Sequence, residues 1–445
     1  MRLARFLERS ARSSLAPASD SRSIRRLLSL CRALLSERGA INSSHLAAET
    51  LDLYHALDPP ARRAFFEALI VDFSPDPEDV GRAADAYRKD ASFQNLSHLQ
   101  RVVEPPRQEL FRQLNLAPEG TRILVEMRSQ VLREMDSGPH LEPIAADLAH
   151  LLTSWFNRGF LTLQRIDWHS SAAVLQKLIE YEAVHQIHGW HDLRRRLEAD
   201  RRCYAFFHSA MPEEPLIFIE AALTRGMSDR VQPLLDPGSP VKDPASADTA
   251  IFYSITNCQE GLRSVPFGSF LIKHVVEDLR KNLPQLRTFA TLSPIPGFRR
   301  WLAAELEKLE SILVRAEVRR ALEQLDGPDS DRIDSEQRRY LEALCAFYLL
   351  NAKRGEEPLD SVARFHLKNG ARLDRINWLA DTSASGMKQS LGMMANYLYE
   401  LNDLERNCEI YARRSQVASS RRVQASAKRV IARKSLRAEP GAALV

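Results

Sequence analysis

Residues Arg263-Ser264-Val265-Pro266-Phe267-Gly268-Ser269 stand directly before an amphipathic run that places Leu271, Ile272, Val275, Val276, Leu279 and Leu283 on one broad face. A strand–glycine–helix junction of this kind suits one sort of chemistry. Backbone N–H groups at a helix start, with a glycine allowing close approach, bind the oxygens of a pyrophosphate. Ser269 can cap the helix or reach a phosphate oxygen, and an ordinary capped helix would use the same residues. The GxxxxGK spacing of a Walker A loop is absent. His185, His188 and His191 recur at i, i+3, i+6, but Gly189-Trp190 interrupts them and no HExxH pattern accompanies them. They read as surface or structural histidines rather than metal ligands. The five cysteines are scattered without a CxxC pair, which suits a reducing compartment and argues against a disulfide framework.

The elements that must position this chemistry divide the chain near residue 180. In 445 residues, two or three domains are expected. Residues 1–180 read as successive amphipathic helices, punctuated by Gly39, Pro59-Pro60, Pro75, Pro77, Pro105-Pro106, Pro118 and Gly138-Pro139. They carry no catalytic constellation and are expected to be a helical oligomerisation domain. Residues 181–411 change character. Strands are predicted at 203–209, 216–223, 250–255 and 286–292, with a long loop over 224–249 and a helix over 270–283 between the last two strands. A second strand pair is predicted at 362–367 and 373–379 around an Asn369-Gly370 turn, and helices over 299–325 and 335–351. Residues 412–445 hold nine Lys/Arg and one acid and read as a solvated basic tail. The tail contributes +8 to the chain's formal net charge of +4, so the body, at −4, is mildly acidic.

Local motifs narrow the reading. The segment Arg263-x-x-Pro266-x-Gly268-Ser269 resembles the phosphate-binding turn of the acyl-CoA N-acetyltransferase (GNAT) superfamily, with Pro266 in place of a glycine. Longer stretches resemble the malonyl-CoA decarboxylase family. They include Leu292-Ser293-Pro294-Ile295-Pro296-Gly297-Phe298, Phe365-His366-Leu367-Lys368-Asn369-Gly370, Arg375-Ile376-Asn377-Trp378-Leu379-Ala380-Asp381 and Asn396-Tyr397-Leu398-Tyr399. Together the matching stretches span about residues 181–400 in the family's order.

The resemblance implies a helical bundle followed by a GNAT-like mixed β-sheet domain with flanking helices. It implies conversion of malonyl-CoA to acetyl-CoA and CO2 without biotin, metal or pyridoxal cofactor, in a homo-oligomer. It assigns Ser293 as proton acceptor, His366 as the group that reprotonates the acetyl carbon, and Tyr399 as a candidate oxyanion donor. CoA phosphates and the acyl group are expected at Arg263, Ser264, Val265, Pro266, Phe267, Gly268, Ser269, Ser293 and His366. Well-known members carry an acidic residue at the position of Pro266, so no role for that carboxylate transfers. Decarboxylation leaves electrons on a thioester enolate, which calls for hydrogen-bond donors and a proton source. Two other readings use the same fold: an acyl-CoA N-acyltransferase and a non-catalytic CoA-binding scaffold. Neither nucleic acid nor membrane is expected as a partner, since the basic tail lacks interleaved aromatics and no run reaches a spanning length. A cytoplasmic location is expected, with a mitochondrial one as the alternative, because residues 1–26 hold seven Arg against Glu8 and Asp20.

Overall fold

Proline and short polar side chains set the helix starts in the N-terminal part of the chain. Asp58 accepts from the Ala61 N–H ahead of Pro59–Asp72, Asp76 from Glu78 ahead of Pro77–Lys89, and Ser92 from Asn95 ahead of Phe93–Val103. Such caps satisfy N–H groups that the first helical turn leaves without partners. The computed structural model describes residues 18–36, 43–135, 138–265, 271–308, 312–327 and 333–435. They fall into two units, the first holding the described residues up to Thr162 together with 207–214 and 259–265. Its helices bury Leu27, Phe65, Phe66, Leu110, Phe111, Leu124 and Leu148.

One detail of this unit fixes the backbone of the expected phosphate-binding segment. Arg128, buried on the helix Gly120–Met135, donates to the carbonyls of Ala145 (3.2 Å), Gly261 (2.6 Å) and Arg263 (3.0 Å). Burial lowers the guanidinium pKa, and three carbonyl acceptors offset the lost hydration. Gly261 must be glycine for this approach, because a Cβ there would stand 1.9 Å from the Val125 carbonyl oxygen.

The second unit is built on a sheet whose strands, in chain order, are β1 (Leu161–Ile166), β2 (Arg201–His208), β3 (Ile217–Thr224), β4 (Thr249–Asn257), β5 (Thr288–Thr291), β6 (Ser293–Pro294), β9 (Arg372–Asn377) and β10 (Met394–Leu398). β7 (Lys353–Arg354) and β8 (Glu357–Pro358) form a separate hairpin. The sheet order is β1-β2-β3-β4-β5-β10-β6, with β9 also paired to β10. β2, β3 and β4 are antiparallel neighbours, whereas β4 and β5 run parallel and are joined through the helix Leu271–Asn282. That helix buries Leu271, Ile272, Val275, Val276 and Leu279, the stripe its sequence predicts. β5 is short. It pairs with β4 only from Thr249↔Thr288 to Phe252↔Thr291, and β4 runs on to Asn257.

Four sequence expectations need correction. Residues 362–367 are not a strand but lie within the helix Ser361–Lys368, and Asn369-Gly370 ends that helix rather than turning a hairpin. Asp360 caps its start through the Ala363 N–H at 2.9 Å, and Gly370 ends it at φ +79°. The buried positions Ala363, His366 and Leu367 follow helical spacing, which the alternation of Ala363, Phe365 and Leu367 with Arg364 and His366 obscured. Second, the expected helix 299–325 is two helices, Phe298–Lys308 and Ile312–Asp326. Third, β1 begins at Leu161 and the helix Ala172–Tyr181 belongs to the second unit, so the N-terminal run of helices stops short of residue 180.

Finally, the basic C-terminal segment is not a free tail through residue 435. The helix Arg421–Ser435 buries Val423, Ala427 and Val430 and packs on the helix Ser335–Asn351 and on β9. Leu373 N–H donates to Ala418 and Ser420 N–H returns a bond to Leu373, both 2.9 Å. Three apolar residues at spacings of four and three are enough to seat a helix whose other faces are arginine and lysine.

Candidate active site

The end of the short parallel pair creates the site. Beyond Phe252 and Thr291 the two chains diverge, and a cavity of about 240 Å³ opens between them. Its walls include Phe252, Ile255 and Asn257 of β4, Val184, and Val362 and Phe365 of the helix Ser361–Lys368. Ser293 and His366 line it together. Among the described residues no lysine or arginine does.

The polar groups form one buried chain. Ser293 Oγ lies 2.9 Å from His366 Nε2, and His366 Nδ1 lies 2.8 Å from the Tyr399 hydroxyl. Ser293 Oγ also donates to Thr291 Oγ1 at 2.8 Å. The imidazole stacks on Tyr397, with centroids 4.5 Å apart and an interplanar angle of 27°. His366 is only 2% exposed, and burial lowers its pKa from 6.5 to about 3, so the ring is neutral near pH 7. Burial likewise pushes the Tyr397 and Tyr399 hydroxyls well above their ordinary value. Among the described residues the cavity wall therefore carries hydrogen-bonding groups and no fixed charge.

Each member is held by its element. Gly297, in the segment that carries Ser293, gives its N–H to Asp360, the cap of the His366 helix. Tyr348 donates to the same carboxylate at 3.3 Å, and a Cβ on Gly297 would stand 2.2 Å from the Tyr348 hydroxyl. The glycine thus lets the Ser293 segment and the His366 helix close on one carboxylate. Asn396 Nδ2 donates to the Thr291 carbonyl at 2.7 Å, and its Oδ1 accepts from Asn377 (2.7 Å) and Arg375 (3.1 Å). These contacts tie β5, β9 and β10 at the depth of the site.

The structure brings Ser293, His366 and Tyr399 into one hydrogen-bonded chain. Of the expected phosphate-binding residues, Arg263 and Ser264 are exposed and Val265 is buried, with Ser264 at φ +67°. Pro266, Phe267, Gly268 and Ser269 lie outside the described residues. Sequence reasoning missed Thr291, Asp360 and Tyr397. Thr291 and Tyr397 each stand two residues from a recognised site residue, and period-two spacing could have found them. Asp360 carried the signal of a helix cap. Among the described residues no group of three or more His, Cys, Asp or Glu gathers as a metal site. None of the described helices is long and apolar enough to cross a membrane.

Comparison with known proteins follows this geometry. Residues 159–437 match the family "Malonyl-CoA decarboxylase C-terminal domain" and residues 73–156 match "Malonyl-CoA decarboxylase N-terminal domain". The mitochondrial malonyl-CoA decarboxylase of Anser anser anser is 36% identical over 416 residues, covering 85% of this chain and 82% of that protein. The mitochondrial enzyme of Mus musculus is 35% identical over 352 residues, covering 73% and 72%. The crystal structure of malonyl-CoA decarboxylase from Rhodopseudomonas palustris superposes with a TM-score of 0.85 at 48% identity, covering 90% of this chain and 99% of that one. That from Agrobacterium vitis gives 0.84 at 45% identity with the same coverage.

Proposed function

The chain belongs to the malonyl-CoA decarboxylase family, and from this premise and the site geometry we propose that it converts malonyl-CoA to acetyl-CoA and CO2. The observation that carries the reading is the contact between Ser293 Oγ and His366 Nε2 at 2.9 Å in the wall of the cavity. The malonyl group of the substrate enters this cavity. Among the described residues no lysine or arginine lines it, so none of them pairs with the malonyl carboxylate in the ground state. Its charge disperses as the C–C bond breaks, and apolar walls favour departure of neutral CO2. The bonding pair moves onto the thioester as an enolate, and His366 gives the α-carbon a proton. Ser293 orients the acyl group against the imidazole.

Tyr399 takes a different role from the oxyanion donor its motif suggested. Its hydroxyl is engaged with His366 Nδ1, behind the ring. From there its proton follows into the imidazole as Nε2 gives one up, and solvent restores it. Each turnover consumes one proton from water. No metal or organic cofactor enters this scheme.

Purified protein incubated with malonyl-CoA and no amine should release acetyl-CoA and CO2 in equal amounts. Absence of both products removes this reading. Acyl transfer observed only when an amine is added would favour an N-acyltransferase in its place.

We also place the protein in a homo-oligomer formed through its helical unit and in the cytoplasm. The first is supported by the helix Phe93–Val103, which buries no residue and leaves Phe93 82% exposed at one end and Val103 exposed at the other. Light scattering should give a multiple of the 50.5 kDa chain mass, and Phe93→Glu should lower it. A monomer before substitution would count against it.

A further inference from the structure

The direction of the hydrogen bonds around Ser293 says more than their lengths. Ser293 has one hydroxyl hydrogen, and it points to Thr291 Oγ1 at 2.8 Å. Its contact with His366 Nε2 at 2.9 Å can then be made only with the ring nitrogen as donor. A neutral ring protonated at Nε2 has a bare Nδ1, which accepts from the Tyr399 hydroxyl at 2.8 Å. The protons therefore run one way, from Tyr399 to His366 to Ser293 to Thr291. A serine poised as a nucleophile has the opposite polarity, with its hydroxyl donating to the histidine.

The end of that chain is well fixed. Thr291 is fully buried, its Oγ1 accepts the Tyr397 N–H at 3.2 Å, and its carbonyl accepts from Asn396. The register of β10 against β9 shifts between Asn396 and Tyr397, where Asp374 of β9 has no partner on β10, and the Tyr397 N–H is given to Thr291 of β5. Nothing in the decarboxylation scheme requires Thr291 to touch substrate, and it does not line the cavity.

We infer that Thr291 is a positioning residue that sets the polarity of the site: by taking the Ser293 proton it holds His366 in the Nε2–H tautomer, with the transferable proton facing the acyl cavity. This rests on the decarboxylase reading and deepens it. The proton on Nε2 passes to the α-carbon, whose electron pair comes from the broken C–C bond. Nδ1 takes the Tyr399 proton, and water restores the tyrosine. The same polarity keeps Ser293 from forming an acyl-enzyme.

The test is the tautomer itself. In protein labelled with ¹⁵N-histidine, the His366 signals, identified by their loss in His366→Gln, should report protonation at Nε2. Thr291→Val keeps the shape and removes the acceptor. It should move the proton to Nδ1 and lower kcat roughly ten- to a hundredfold, with KM for malonyl-CoA within about twofold. Thr291→Ser should restore both tautomer and kcat. An Nδ1–H tautomer in the unsubstituted protein overturns the inference, as does an unchanged tautomer in folded Thr291→Val. If the valine variant fails to fold, Thr291→Ala supplies the same comparison. A protein that releases no acetyl-CoA would overturn the decarboxylase reading and leave the tautomer result standing, so the two failures are separable.

Discussion

His366→Gln and Ser293→Ala are each expected to lower kcat for acetyl-CoA formation at least a hundredfold, in proteins that still fold. Glutamine keeps a polar side chain in the cavity but cannot relay a proton between two ring nitrogens. Alanine at 293 removes the hydroxyl that faces Nε2 at 2.9 Å. Because the two groups act on one proton, the double variant should lose little more than either single one. Folded variants that turn over at the rate of the unsubstituted protein would show that the chemistry lies elsewhere.

The pH dependence follows from the same burial. With the folded-state pKa of His366 held at about 3, kcat should show no limb near the ordinary histidine value of 6.5. The effect on stability has the opposite reach. Between these values the unfolded chain binds a proton at His366 that the folded protein does not. Its contribution to stability is fully present above pH 6.5 and is lost as pH falls toward 3.

Arg196→Met should destabilise the protein by about 3–5 kcal/mol, a large share of the stability of an ordinary domain. Arg196 is buried and donates to Glu220 (2.9 Å), Asp192 (3.2 Å) and the carbonyls of His185 (2.9 Å) and Gln186 (3.3 Å). Methionine fills much of the volume but leaves two buried carboxylates without their cation and two carbonyls without their donor. Burial already pushes the Glu220 carboxyl up to about 7, against the attraction of Arg196. Without the arginine, protonation becomes the less costly state of Glu220. A carboxyl whose folded pKa is raised loses stability as pH climbs through that value, so the deficit should be larger at pH 8 than at pH 6. Urea titrations at the two pH values measure both effects, and an equal midpoint for variant and parent would refute the assignment.

The same cluster reaches the active site. Glu182 accepts from the N–H groups of Val184 and His185 and from Ser254 Oγ of β4, and burial raises its pKa as well. Val184 is part of the cavity wall. Partial loss of this network should therefore raise KM before the protein unfolds.

The stripe of the helix Leu271–Asn282, the strands around it and the helix Ser335–Asn351 were legible because each buries a face whose period shows in the side chains themselves. The helix Ser361–Lys368 was not. Ala363, Phe365 and Leu367 alternate with Arg364 and His366 and read equally well as a strand, and the deciding groups are the Asp360 cap and the left-handed Gly370. The helix Arg421–Ser435 was hidden in the same way. Its charged residues outnumber the three apolar ones that seat it, and the surface that receives them is supplied by the helix Ser335–Asn351 and by β9.

By themselves, the residues of this chain determined a helical region followed by a sheet region, the β4–helix–β5 unit and the motifs in which Ser293, His366 and Tyr399 stand. Those features reside in local periodicity and in short unusual motifs. Only the tertiary structure decided that Ser293 and His366, 73 positions apart, share one cavity whose described walls hold no cationic side chain. It also decided that Tyr399 stands behind the ring and that Thr291 accepts the hydrogen bond of the Ser293 hydroxyl. The physical reason is that charge state and proton direction depend on burial and on partners from distant strands, which no local spacing encodes.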